Sequence, residues 1–316
     1  MNNKNIILRT SNEIGNQMFM YASAFSISKK MKRNLLIDNE SAFLSKKNIS
    51  NYGLNNFKIS AQIANNNLKY TNLSGYLKRK YLKKTDYLRK KKYFYIEPKN
   101  KKKITFFNNE ILSFEFSDNL FLEGHFESEK YFFDYKKEII NEFEFFDAEQ
   151  FIKNRFFSEI NDNNSVGICL RQNRFAEGQG KKNNRNMIKS QIFTQEQVNF
   201  INKSVEILKE RLTNPIFYIW SNDLKNINFD LFNFDFRLVD LSKNEKNLDI
   251  RALSLFLLSK CKHFITVPST FSWWGAWLSK NNNKIILRPT ENCFSEFLVN
   301  NKDFWPSNWL EVSVRE

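Results

Sequence analysis

The sequence predicts an α/β fold built on parallel sheets, and three observations predict it. A strand–helix–strand order opens the chain, from Ile6-Ile7-Leu8 through a helical pattern to Asn34-Leu35-Leu36-Ile37-Asp38. The second half alternates strand and helix more regularly, with a polar turn after each strand. The length of 316 residues allows two domains or one large α/β unit. Parallel strands need a crossover connection, and a helix is the usual one.

Thr10-Ser11-Asn12-Glu13-Ile14-Gly15 is the turn after the first strand, and a helix is expected to start near Asn16 or Gln17. Met18, Tyr21, Ala22 and Phe25 fall at helical spacing there. Residues 40–120 are rich in Asn and Lys, with weak periodicity. Asn119-Leu120-Phe121-Leu122-Glu123-Gly124 predicts a strand, and SEKYFFDYKKEIINEF a helix after it. A change of composition over 150–164 suggests a join, dividing the chain into domains 1–155 and 156–316, the first carrying a basic insertion at 78–103.

In the second domain Val166-Gly167-Ile168-Cys169-Leu170 and Ile216-Phe217-Tyr218-Ile219-Trp220 read as strands, with an amphipathic helix over 194–212 between them. A helix near 249–260 precedes the strand His263-Phe264-Ile265-Thr266-Val267. STFSWWGAW at 269–277 then reads as turn into helix, followed by the strand Lys284-Ile285-Ile286-Leu287. This is a Rossmann-like order, in which ligands bind beyond the carboxyl ends of the strands.

The formal charge is +15, and much of it is local: 78–103 holds thirteen Lys and Arg against Asp86 and Glu97. Interleaved with aromatics, such a stretch suits an anionic membrane surface, nucleic acid or a pyrophosphate-bearing substrate, or is simply a solvated face. No zinc-ligand spacing or single-strand recognition signature accompanies it, so nucleic acid is not expected. Cys169, Cys261 and Cys293 are odd in number and widely spaced, which fits free thiols in a reducing compartment. The N-terminus does not read as a signal peptide, and no run is apolar enough to span a bilayer. The expected location is the cytoplasm, either free or peripheral at the inner face of a membrane.

Three strand-end turns carry the candidate chemistry: Arg171-Gln172-Asn173-Arg174, Ser221-Asn222-Asp223 and Pro268-Ser269-Thr270. An arginine fork there suits a diphosphate, and a helix start beside it suits an anion. The plainer alternatives are a surface ion pair for Arg171, and a buried helix with Ser269 as N-cap and the tryptophans as core. No Asp-x-Asp pair occurs, and His125 and His263 are isolated in sequence, so no metal site is expected. A Ser/His/Asp elbow, a P-loop and a GxGxxG fingerprint are all absent.

Four segments, GNQMFMYA at 15–22, LEGHFESEKYF at 122–132, FYIWSND at 217–223 and LSKCKHFITVPSTFSWWGAWL at 258–278, resemble the alpha-1,2-fucosyltransferases of glycosyltransferase family 11, found in bacterial O-antigen and capsule clusters. The resemblance implies a GT-B-like fold, with two Rossmann-like domains facing a cleft, and an inverting, metal-independent transfer without a cofactor. L-fucose would pass from GDP-fucose in the C-terminal half to a galactoside hydroxyl of a surface glycan, free or lipid-linked, held by the N-terminal half. Catalytic roles fall to Arg171, on the β-phosphate, and Asn16, on the acceptor hydroxyl. Donor binding falls to Gly15, Gln17, Arg174, Ser221, Asn222, Asp223, Ser254, Ser269 and Thr270. Glu13, Asp38 and Glu177 are the carboxylates near these turns that could serve as general base.

The chain departs from the family pattern at three places. The usual Gly pair is Asn12-Glu13, and Asn tolerates the left-handed backbone such a turn needs. The usual His-x-Arg-Arg-Gly-Asp is Cys169-Leu170-Arg171-Gln172-Asn173-Arg174. An Asp expected fifteen residues before Ser269, as a guanine-edge acceptor, is Ser254, with Asp249 about a helical turn away. The alternatives are a related transferase using another GDP-sugar or linkage, and a non-catalytic membrane- or nucleic-acid-binding protein on this scaffold.

Overall fold

The computed structural model describes residues 4–43, 52–100, 104–177, 183–242, 248–297 and 300–314; Lys101, Lys102 and Lys103 of the basic stretch lie outside them. The chain forms two units, Met1–Phe146 with Lys302–Phe304, and Asp147–Asn301 with Trp305–Glu316.

The first unit is built on β1 (Asn5–Arg9), α1 (Ile14–Met31), β2 (Asn34–Asp38), β3 (Gln62–Ile63), α2 (Leu73–Thr85), β4 (Lys92–Ile96), β5 (Phe116–Glu123) and α3 (Lys136–Glu142). Its sheet is parallel, in the order β3-β2-β1-β5-β4. Ile6, Ile7 and Leu8 are fully buried because both faces of a central parallel strand are covered. Helix α1 begins at Ile14, earlier than its apolar spacing suggested, because the turn is already closed at Glu13, whose carbonyl accepts from Gln17 N. Asn12 carries the left-handed backbone, with φ of 64°.

The described residues of the basic stretch 78–103 supply part of α2 and the edge strand β4. Its lysines hid a strand whose Phe94 and Tyr95 are buried. The segment expected as one helix after β5 is instead two single turns followed by α3. Adjacent Tyr131 and Phe132 both turn into the core, and Phe132 leaves helical geometry at φ −131°, ψ 7°.

The second unit contains α4 (Ala148–Phe151), α5 (Arg155–Asp162), β6 (Ser165–Leu170), α6 (Asn184–Arg211), β7 (Ile216–Ser221), β8 (Phe236–Leu238), α7 (Ile250–Ser259), β9 (His263–Ile265), α8 (Thr270–Leu278), β10 (Ile286–Pro289) and β11 (Leu310–Val312). Helix α4 joins it through Phe151, whose ring lies 5.3 Å from that of Phe256 on α7. Helix α6 starts ten residues before the expected 194, because Asn183 caps it by accepting from Asn186 N. The first turns of α6 are mostly exposed, so their periodicity carries no apolar signal.

The parallel sheet β11-β10-β9-β6-β7-β8 reads 3-2-1-4-5-6 from β8 when strands are renumbered within the unit. That is the doubly wound order, with its switch point between β6 and β9. Val166, Ile168 and Leu170 of β6 face a core with Phe193, Val198 and Ile201 of α6. His263 makes internal bonds only, accepting from Ile285 N and meeting Asn164 Oδ1. The three cysteines are free and buried.

The tryptophans of α8 are core. Trp273 and Trp274 are fully buried, and Trp273 stacks on Trp277 at 5.9 Å and meets Trp309 at 5.6 Å. Gly275 lets α8 close onto α7. A Cβ there would lie 2.3 Å from Leu258 Cδ2, while one on Gly167 of β6 would lie 2.7 Å from Leu258 Cδ1. Leu258 is wedged between two glycines and has nowhere to retreat. Gly275→Ala is therefore expected to destabilise by about 1–3 kcal/mol despite better helix propensity, lowering Tm by several degrees in a thermal melt.

Candidate functional site

In the second unit, Arg171 follows β6 directly. Its backbone is pinned by Gln197 of α6, which accepts from Arg171 N at 3.0 Å and donates to Arg171 O at 2.7 Å. One guanidinium nitrogen meets Glu177 Oε2 at 2.6 Å, with both side chains about one-third exposed. Arg171 Nε is buried without an acceptor among the described residues. Asn222, after β7, donates to Glu177 Oε1 and to Gln172 O and accepts from Gln172 N. Gln172 donates to Ser221 Oγ and Asp223 O, and Asn173, with φ of 54°, donates to Asp223 Oδ2. The turns after β6 and β7 thus form one hydrogen-bonded platform, with the fork of Arg171 paired to Glu177 among the described residues.

Across the switch point, the turn after β9 leads into α8. Ser269 stands at the N-cap but its hydroxyl caps nothing, and no acidic residue lies in the first turn of α8. The first N–H groups of a helix lack intrahelical acceptors and carry its positive end. Ser269 and Thr270 are half-buried. Cys169, where the family pattern has His, is buried; burial pushes its thiol up to about 12, against a hydrogen bond with Ser272. It is an inert packing group.

In the first unit, a second cluster forms where the sheet order reverses, at the ends of β1 and β5. Asn12 Nδ2 meets His125 Nε2 at 2.8 Å, and Asn16 Nδ2 donates to Glu127 Oε1 at 2.8 Å. His125 Nδ1 lies 3.5 Å from that carboxylate oxygen, and both side chains are about one-third exposed. Glu97, at the end of β4, accepts from the backbone N–H of His125 and Phe126. Burial works against the charged imidazolium, but Glu127, by hydrogen bond and charge, and Glu97 outweigh it, so the His125 pKa is raised. Burial also raises Glu97, opposed by those two N–H bonds.

The glycosyltransferase family 11 model matches residues 3–313. The chain belongs to glycosyltransferase family 11. It is 24% identical over 320 aligned positions to the O-antigen biosynthesis glycosyltransferase WbnK of Escherichia coli, covering 96% of this chain and 98% of that one. It is 30% identical over 112 residues to an alpha-1,2-colitosyltransferase of Escherichia coli, a match spanning 34% of this chain and 37% of that relative. Among solved structures, NodZ alpha-1,6-fucosyltransferase soaked with GDP-fucose aligns over 87% of this chain and 92% of its own at 12% identity and TM-score 0.47. The two parallel-sheet α/β units are those expected of a GT-B-like member of family 11.

Arg171 follows β6, and Ser269 and Thr270 follow β9, the strand paired with β6, while Ser221, Asn222 and Asp223, at the end of β7, bond the turn that carries Arg171. The Arg174 guanidinium lies 3.9 Å from the centre of the Phe297 ring. Ser254 is half-buried on α7. Asp249 caps α7 and is clasped by Arg251, which occupies the carboxylate that could have replaced the missing Asp. Gln17 does not face a ligand: it is fully buried, donating to Asn12 O and accepting from Gly53 N. Gly15 is buried at the start of α1.

Of the carboxylates weighed as base, Asp38 is buried and accepts from Glu40 N and Ser41 N, and Glu177 is bound to Arg171. Glu13 is the N-cap residue of α1. The group that sequence reasoning missed is His125 with Glu127. Its partners Asn12 and Asn16 are more than a hundred residues away, beyond any spacing rule. The signal in the sequence is the strand end itself, since His125 and Glu127 follow β5 as Arg171 follows β6. Among the described residues, no three His, Cys, Asp or Glu side chains gather as metal ligands.

Proposed function

We propose that this protein moves L-fucose from GDP-fucose to the 2-hydroxyl of a galactoside in a lipid-linked surface glycan, with inversion at the anomeric carbon and without a metal. The observation that carries this reading is Arg171 directly after β6, beside the paired strand β9 that leads into the N-terminus of α8, in a family 11 chain. In this reading the diphosphate displaces Glu177 from Arg171. The bond from C1 to the β-phosphate oxygen breaks as the acceptor oxygen bonds to C1. Charge developing on the phosphate is met by Arg171, Ser269, Thr270 and the first N–H groups of α8.

Within the first unit, His125 Nε2 is the group assigned to take the acceptor proton, with Glu127 placed to stabilise the imidazolium. Asn16 keeps Glu127 in place. NodZ was soaked with GDP-fucose and WbnK is named for O-antigen biosynthesis, which support the donor and the acceptor class. A second reading, transfer of another GDP-sugar, is favoured by the altered turn after β6 and by the match to an alpha-1,2-colitosyltransferase.

The test is to supply GDP-fucose, GDP-colitose and GDP-mannose in turn with a panel of β-galactosides, and to determine product linkage and anomer by NMR. GDP-fucose is expected to be used fastest, to give the inverted 2-linked product, and to be used equally well in EDTA. Faster use of GDP-colitose would install the second reading. No transfer from any of the three would sink both.

A further inference from the structure

Helix α2 has no buried residue, although it packs on the sheet of the first unit through its charges. Arg79 and Lys83 grip Glu123 at the end of β5, and although burial works against that carboxylate, the two cations hold its pKa below the usual range. At about 100° per residue, Arg79 and Lys83 share one side, which leaves Leu73, Leu77 and Tyr81 on the other, with Lys80 and Lys84 between them.

The exposures agree with this division. Leu73 is 75% exposed, Tyr81 66%, and in the turn that follows Tyr87 is 75% and Leu88 71%. Lys78, Lys80, Lys84, Lys90 and Lys91 are exposed on the same surface, none ion-paired to a described residue. The acidic residue within 73–92 is Asp86, which is buried and accepts from Tyr93 N and Phe94 N.

We infer that the outward face of α2 and the turn after it form a docking surface for an anionic lipid bilayer. Aliphatic and tyrosine side chains at helical spacing, flanked by lysines, match an interfacial helix lying in the headgroup plane. The charge is complementary to anionic headgroups and opposed to a second copy of itself, because a two-fold contact would press five lysines against five lysines. Nucleic acid would use the lysines but leave Leu73, Leu77 and Leu88 in water. Among the described residues no helix is long and apolar enough to cross a membrane, so this surface would supply peripheral attachment. The inference rests on the reading of a lipid-linked acceptor only for its purpose, since the attachment itself needs no donor.

The experiment is co-sedimentation of the full chain with phosphatidylcholine vesicles with and without phosphatidylglycerol, across a salt series. Binding is expected only to the anionic vesicles, weakening as salt rises. Leu73→Ser/Leu77→Ser/Tyr81→Ser and, separately, Lys80→Glu/Lys84→Glu are each expected to weaken it by about tenfold or more. Both variants alter exposed positions, and both should keep the wild-type circular dichroism spectrum and transfer rate to a soluble galactoside. Equal binding by the serine variant, no anionic preference, or duplex DNA binding in place of vesicle binding would overturn the inference. Vesicle binding without any sugar transfer would overturn the transferase reading and leave this one standing.

Discussion

Arg171→Ala is expected to reduce transfer from GDP-fucose by at least about a hundredfold, the usual effect of removing one preorganised donor from developing charge. The loss should fall on kcat as well as on KM, because the phosphate is more strongly charged as the sugar leaves than in the bound donor. Stability should barely change. The Arg171–Glu177 pair is one-third exposed on each side, and such pairs contribute about 0–1 kcal/mol. Arg171→Lys keeps the charge but loses the planar fork, so it should recover only part of the rate. Initial rates against donor concentration, with GDP affinity by calorimetry, read all of this. Activity of Arg171→Ala within threefold of wild type would remove the donor site from the β6–β9 switch point.

The parts of this architecture that could be read from sequence are those where a local pattern and the tertiary requirement coincide. Strand β6 is buried on both faces and reads as an unbroken apolar run ending in Arg171. The turns after β6, β7 and β9 are legible because each polar turn follows a short apolar strand. Asn12, standing where the family pattern has glycine, carries the left-handed backbone that asparagine tolerates. The first unit was harder, because β3 is two residues long and β4 lies inside a lysine run whose charges serve Glu123 and the surface. Arg174 and Gln17 each have a partner remote in sequence, the Phe297 ring and the Gly53 backbone, which no local pattern announces.

His125 carries the other large expectation. It is read as the proton acceptor, so the neutral imidazole is the active form, and kcat/KM should rise with pH to a plateau. Glu127 and Glu97 hold its pKa above the ordinary 6.5, against burial and Lys99, so the inflection should lie above that value. Glu127→Gln withdraws the nearest negative charge while keeping a partner for Asn16. It should move the inflection to lower pH and slow the plateau rate, a response that a merely structural role would not produce. His125→Asn should abolish the inflection and cost about 10²–10⁴ in rate, the range for a positioned general base. The same linkage gives stability an opposite slope. A raised imidazole pKa stabilises the fold fully below about 6.5, and that contribution fades as pH rises through the folded value. His125→Asn should therefore lower Tm at pH 5.5 more than at pH 8, while activity is lost most visibly at pH 8. A pH–rate profile unchanged in both variants would return the base to another group, and the hydrogen bonds from Asn12 and Asn16 would then only brace the turn after β5.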